Sequence, residues 1–127
     1  MIEDILNRPH LNRFFVRSSL QQDQFWFYDG KRIVVSRDRR TRFTISLVAP
    51  VQTNLQGQIM IGTDLVSISV YNHNGFIDIQ PDQSLSISHA DDTLVMPFSR
   101  FDGGFEIGHD GVLYSDKKGG GDRWELA

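Results

Sequence analysis

Three tripeptides punctuate this chain: Tyr28-Asp29-Gly30, His73-Asn74-Gly75 and His109-Asp110-Gly111, each set between short apolar runs. Asp-Gly and Asn-Gly supply the positive φ that both central residues of a type I′ turn require, so each tripeptide signals a tight β-hairpin. The glycines stand 45 and 36 residues apart. That spacing predicts three similar units of roughly 40 residues, which would nearly fill the chain.

Beyond Leu11 apolar residues alternate with polar ones at period two, and the alternating positions favour β-branched and aromatic types. Those side chains fit a pleated, half-buried surface, so the chain reads as all-β. The expected strands cover residues 14–17, 24–28, 32–37, 42–48, 58–62, 65–70, 76–80, 84–88, 93–98, 104–107, 112–115 and 123–126. Twelve strands give four to each unit. The stretches between them are short and rich in turn formers, which enforces antiparallel neighbours; the longest, residues 50–57, is polar enough for the surface and too short to link domains.

Alternation also names a core: Phe15, Phe25, Phe27, Ile33, Val35, Phe43, Ile45, Ile59, Ile61, Ile68, Val70, Ile77, Ile79, Leu85, Ile87, Val95, Phe105, Ile107, Leu113, Trp124 and Leu126. A chain of 127 residues suits one domain, expected over residues 14–127. Residues 1–13 form an N-terminal segment in which Ile2, Ile5 and Leu6 give one apolar face to a short helix ended by Pro9. The segment has no apolar run of signal-peptide length, no stretch is long enough to cross a bilayer, and cysteine is absent. A soluble, cytoplasmic or other intracellular protein is the expectation.

Twelve short strands in three units, each with a central hairpin, resemble the β-trefoil, and within it the fascin and fibroblast-growth-factor type of repeat. The first unit carries the resemblance in Phe15-Val16-Arg17-Ser18-Ser19, in residues 27–36 (FYDGKRIVVS) and in Arg42-Phe43-Thr44-Ile45; the last carries it in residues 104–113 (GFEIGHDGVL) and Arg123-Trp124-Glu125-Leu126. The middle unit admits two phases. In one its hairpin runs from Ile68 to Ile79 around Asn74-Gly75; in the other it turns at Pro81-Asp82, making Ile33, Leu85 and Leu113 equivalent at intervals of 52 and 28 and leaving the third unit without an opening strand. Other small antiparallel barrels or sandwiches remain open alternatives. The Gln-x-Trp signature of ricin-type sugar-binding trefoils is missing, so the resemblance does not imply that activity.

The net charge of −3 conceals a dipole, since residues 1–50 carry +4 and residues 51–127 carry −7. Within residues 31–42 six of twelve side chains are basic: Lys31, Arg32, Arg37, Arg39, Arg40 and Arg42. Guanidiniums projecting together from one hairpin suit a carboxylate or phosphate partner, whereas the same residues also read as the solvent face of a half-buried hairpin. Trp26, beside Phe25, either faces outward with Tyr28 as an aromatic interface anchor or is partly buried under the N-terminal segment. These eight residues make the candidate partner site. The function expected is a non-catalytic binding or assembly module for a protein or other anionic partner; the alternative is a structural subunit of a virus particle, secretion or surface assembly, joined head to tail by its opposite charges. A polyanion or carbohydrate is a possible ligand, and nucleic acid is disfavoured because the rest of the surface would be acidic.

For chemistry the inventory is thin. His73, His109 and Tyr28 occupy one position of three related turns, and threefold symmetry would point them to separate corners when catalysis needs convergence. His89, Asp91, Asp92 and His109-Asp110 match no zinc or EF-hand spacing, no serine lies in a Gly-x-Ser-x-Gly elbow, and the glycine-rich residues 117–122 lack the P-loop pattern. No enzyme activity, metal or cofactor is expected.

Overall fold

The computed structural model describes residues 13–47, 64–88 and 94–127. The expected N-terminal helix, the strand over residues 58–62, the loop over 50–57, Ile59, Ile61, His89, Asp91 and Asp92 lie outside the described residues. Within them are twelve strands: β1 (Arg13–Phe14), β2 (Val16–Ser18), β3 (Phe25–Tyr28), β4 (Ile33–Ser36), β5 (Phe43–Leu47), β6 (Leu65–Val70), β7 (Phe76–Ile79), β8 (Leu85–Ser88), β9 (Met96–Pro97), β10 (Asp102–Ile107), β11 (Leu113–Ser115) and β12 (Asp122–Leu126). A 3₁₀ turn, Phe98–Phe101, joins β9 to β10.

All pairings are antiparallel. One set runs β9–β6–β5–β1 and, one residue further along the chain, the other runs β2–β12–β10, so these seven strands make a nearly closed barrel. Three hairpins, β3–β4, β7–β8 and β10–β11, extend from it. Their second strands meet in a cycle: Arg32 bridges Ser86, Ser84 bridges Tyr114, and Val112 bridges Val34. Each bridge joins the residue before one strand to a residue two places further along the next hairpin. Hydrogen bonds repeat the pattern, with Ser115 N donating to Gln83 O, Val35 N to Gly111 O, and the Ser86 hydroxyl to Lys31 O.

The turns that share this geometry precede Ile33, Leu85 and Leu113, all three fully buried. Each is held by an aspartate: Asp29 Oδ1 accepts from Lys31 N and Arg32 N, Asp82 Oδ1 from Ser84 N and its hydroxyl, and Asp110 Oδ1 from Val112 N. Each also has one positive φ, at Gly30, Gln83 and Gly111. The even glycine spacing expected from the tripeptides is therefore not the one these turns follow: Gly75 lies between β6 and β7, outside the three hairpins. The third hairpin does not lack its opening strand either. β10 pairs with β12 at Asp102 and, after a register shift, at Phe105, and with β11 from Phe105 onward, so one strand serves both barrel and hairpin.

The core is aromatic at its centre. Trp26 has no exposed surface, and its ring lies 5.4 to 5.9 Å from those of Phe43, Phe101, Phe105 and Trp124. Trp124 Nε1 donates to Phe105 O at 3.0 Å. Around the rings pack Val16, Ile33, Ile45, Val66, Ile68, Ile77, Leu85, Met96 and Leu113. Fully burying one such side chain is worth about 1.5–3 kcal/mol before entropy is subtracted.

Two expectations about facing fail. Trp26 is not a surface anchor, because Trp26 pairs with Val35 and Tyr28 with Ile33, which puts both on the inward face while Phe25 and Phe27 turn outward and stay half-buried. Val95 is 43% exposed and Met96 takes the core position, because Met96 is the residue registered with buried Val66 on β6.

Candidate functional site

Residues 37–42 leave β4 and fold back across β3. Two hydrogen bonds hold them there: Thr41 N donates to Trp26 O at 3.1 Å, and Tyr28 N donates to Thr41 Oγ1 at 2.9 Å. These bonds satisfy groups on the edge of β3, and they lay the neighbouring arginines over the outward phenyl rings. Arg40 stacks at 4.6 Å from the Phe15 ring centre and 5.0 Å from that of Phe25; Arg42 lies 4.7 Å from Phe15, and Arg39 5.7 Å from Phe27. Phe15 and Phe25 meet edge to face, centres 6.1 Å apart.

The result is a phenyl platform roofed by three guanidiniums. A cation over a ring face is favourable by about 0.5–1 kcal/mol when exposed, and stacking leaves the edges of the planar fork directed away from the ring. Arg39, Arg40 and Arg42 are exposed, and among the described residues none of them has a carboxylate within ion-pair distance. Nearby cations are otherwise engaged. Arg17 pairs with Glu125, its cross-strand partner, at 2.6 Å, and Arg37 makes a looser 3.5 Å pair with Asp23 besides a bond to Gln21.

The other predicted site residues lie elsewhere. Lys31 and Arg32 belong to the first hairpin turn, where the charge of Arg32 acts on Asp29, Asp82, Asp110 and Tyr114. Trp26 is sealed in the core. Tyr28 occupies the end of the inward face, its hydroxyl donating to Gly30 O. Sequence reasoning missed the platform itself, having assigned Phe15, Phe25 and Phe27 to the core.

His73 does not stand at a corner remote from Tyr28, as equal turns would require. The two rings meet edge to face at 5.8 Å, because the β6–β7 turn that carries His73 folds toward β3. His109 is exposed on the β10–β11 turn. Among the described residues no group of three or more His, Asp or Glu side chains is placed to hold a metal ion. The glycine-rich turn packs instead of cradling an anion: Gly121 N donates to Gly103 O, Asp116 N to Gly104 O, and a Cβ on Gly121 would collide with the Phe105 carbonyl.

Electrostatics differ on β10 and in the hairpin turns. The Glu106 carboxyl is pushed up by a hydrogen bond shared with Asp116, then by burial and by the charges of Asp116 and Asp122. The turn aspartates shift the other way. Asp29 is lowered by the amides of Arg32 and Lys31, Asp82 by the Ser84 hydroxyl and amide, and Asp110 by the Val112 amide. Tyr114 is raised by burial and by its bond to Asp110. No described helix is long and apolar enough to cross a membrane. Comparison of the chain with family models, with curated proteins and with solved structures returns no match.

Proposed function

We propose that this protein is a non-catalytic binding module that recognises an anionic partner through the arginine-roofed surface of Phe15 and β3, on a body of β-trefoil type. The cyclic bridging of Arg32–Ser86, Ser84–Tyr114 and Val112–Val34 supports the trefoil reading, since it relates three hairpins by one repeated rule. The binding reading rests on a single observation. Arg39, Arg40 and Arg42 are stacked on phenyl rings without an ion-pair partner among the described residues, so their hydrogen-bonding edges are ordered in advance.

The test is retention of labelled polyglutamate at low and physiological ionic strength, with polylysine as control, for the wild type and for Arg39→Glu/Arg40→Glu. Binding of polyglutamate that weakens with salt and disappears in the double variant is the expected result. Failure of the wild type to bind any polyanion at low ionic strength overturns the reading.

A second reading is a self-assembling subunit. It is favoured by the crowding of Glu106, Asp116 and Asp122, whose mutual repulsion a guanidinium from another copy would relieve. Light scattering over a salt series distinguishes the two, because self-assembly raises the particle mass at low ionic strength without any added ligand.

A further inference from the structure

Which anion the surface accepts follows from where its cations are anchored. Arg39 and Arg40 stack on Phe27 and Phe25, two residues apart on the same face of one strand. Strand residues so placed repeat at about 6.6 Å. An extended peptide repeats its own side chains at the same interval, so carboxylates at alternate positions meet successive guanidiniums without bending the ligand. Arg40, in contact with both rings of the Phe15–Phe25 pair, has the least freedom of the three, and a planar fork so placed favours a bidentate carboxylate over a diffuse charge. Globally the chain carries −3, and the Glu106, Asp116 and Asp122 cluster adds a local field that repels a long polyanion.

Building on the binding function proposed above, we infer that the partner is an extended protein segment with acidic residues at alternate positions, aligned along β3 and paired in register with Arg39 and Arg40. Arg42, over Phe15 between β1 and β2, flanks that register.

Fluorescence anisotropy with three labelled ligands tests this: a peptide with glutamates at alternate positions, a peptide of the same composition with its glutamates adjacent, and an oligothymidylate of equal charge. The alternating peptide is expected to bind about fivefold tighter than the clustered one, the worth of one exposed ion pair that loses its register. Arg40→Lys keeps the charge and removes the fork, so it should erase most of that preference while the thermal midpoint stays near that of the wild type. Equal affinity for the two peptides overturns the register but leaves anion binding intact. Oligothymidylate binding as tightly as the alternating peptide transfers the surface to nucleic acid and overturns the inference. Absence of all three interactions removes the binding function as well, and a doubled particle mass without ligand assigns the surface to a second copy of the chain.

Discussion

β3 carries aromatic rings on both faces, and the two faces have opposite fates. Inward, Trp26 is enclosed by Phe43, Phe101, Phe105 and Trp124 and has lost all contact with water. Outward, Phe25 and Phe27 remain half-buried beneath arginines that cover their faces without sealing their edges. The same residue chemistry thus serves cohesion on one side and presentation on the other. What separates them is the covering group, since rings close-pack and exclude water, while a guanidinium stays solvated at its rim.

The sharpest way to break this contrast is to remove one ring from each face. Trp26→Ala leaves a cavity that no neighbour can fill, and should cost about 3–5 kcal/mol, read as a fall in the urea midpoint. Phe25→Ala removes a ring already partly in water and should cost about 1 kcal/mol. Comparable losses for the two variants would mean that the outward layer is a second core, and the binding surface would lose its rationale.

Parity shows why the sequence concealed this arrangement. Residues 25–28 read Phe-Trp-Phe-Tyr, so alternation offers no polar position to fix the phase. The hairpin itself does. Tyr28 pairs with Ile33 across residues 29–32, and a two-residue Asp29-Gly30 loop would instead pair Trp26 with Ile33. Either length puts Trp26 on the face of Ile33, so burying Ile33 together with Phe25 and Phe27 contradicts the pairing of the hairpin itself. Leu94-Val95-Met96 presents the same ambiguity without a turn to resolve it.

Strand positions were more legible than strand facing: β3, β4, β5, β6, β7, β8, β11 and β12 fall within one residue of the expected limits at each end, the all-aromatic β3 among them. The middle turn was harder because its positive-φ position is Gln83, with none of the Asn-Gly signal that stands eight residues earlier at Gly75. The arginine cluster was visible as composition. Its division between a stacked trio and the turn residues Lys31 and Arg32 was not, because that division depends on Thr41 bonding to β3.

A finer test of the outward face is whether its cation and ring act together. In a double-mutant cycle of Phe25→Ala and Arg40→Ala, the coupling should be about 0.5–1 kcal/mol. Arg40→Ala alone should change stability by less than about 1 kcal/mol while weakening polyglutamate binding. No coupling within experimental error would reduce the stacking to coincidence and return the arginines to a merely solvated rim.

The smallest effect sharpens the comparison through pH, because neither ring layer contains a group that titrates in the acid range, and any acid sensitivity must come from the turns and the acidic cluster. A carboxyl lowered in the fold stabilises it in full above its unfolded value and ceases to do so as pH falls through the folded one. Asp29, Asp82 and Asp110 are lowered from 3.8, so stability should decline below about pH 4, and Asp82→Asn should flatten that decline. Glu106 has the opposite sign. Raised from 4.5, it stabilises the protonated fold, and that contribution fades as pH rises through its folded value, so Glu106→Gln should flatten the decline that sets in above about pH 4.5. Both slopes can be followed by the fluorescence of buried Trp26 and Trp124 in urea titrations at successive pH values. If Asp82→Asn leaves the acid limb unchanged, the aspartate-held turns are not what acid attacks.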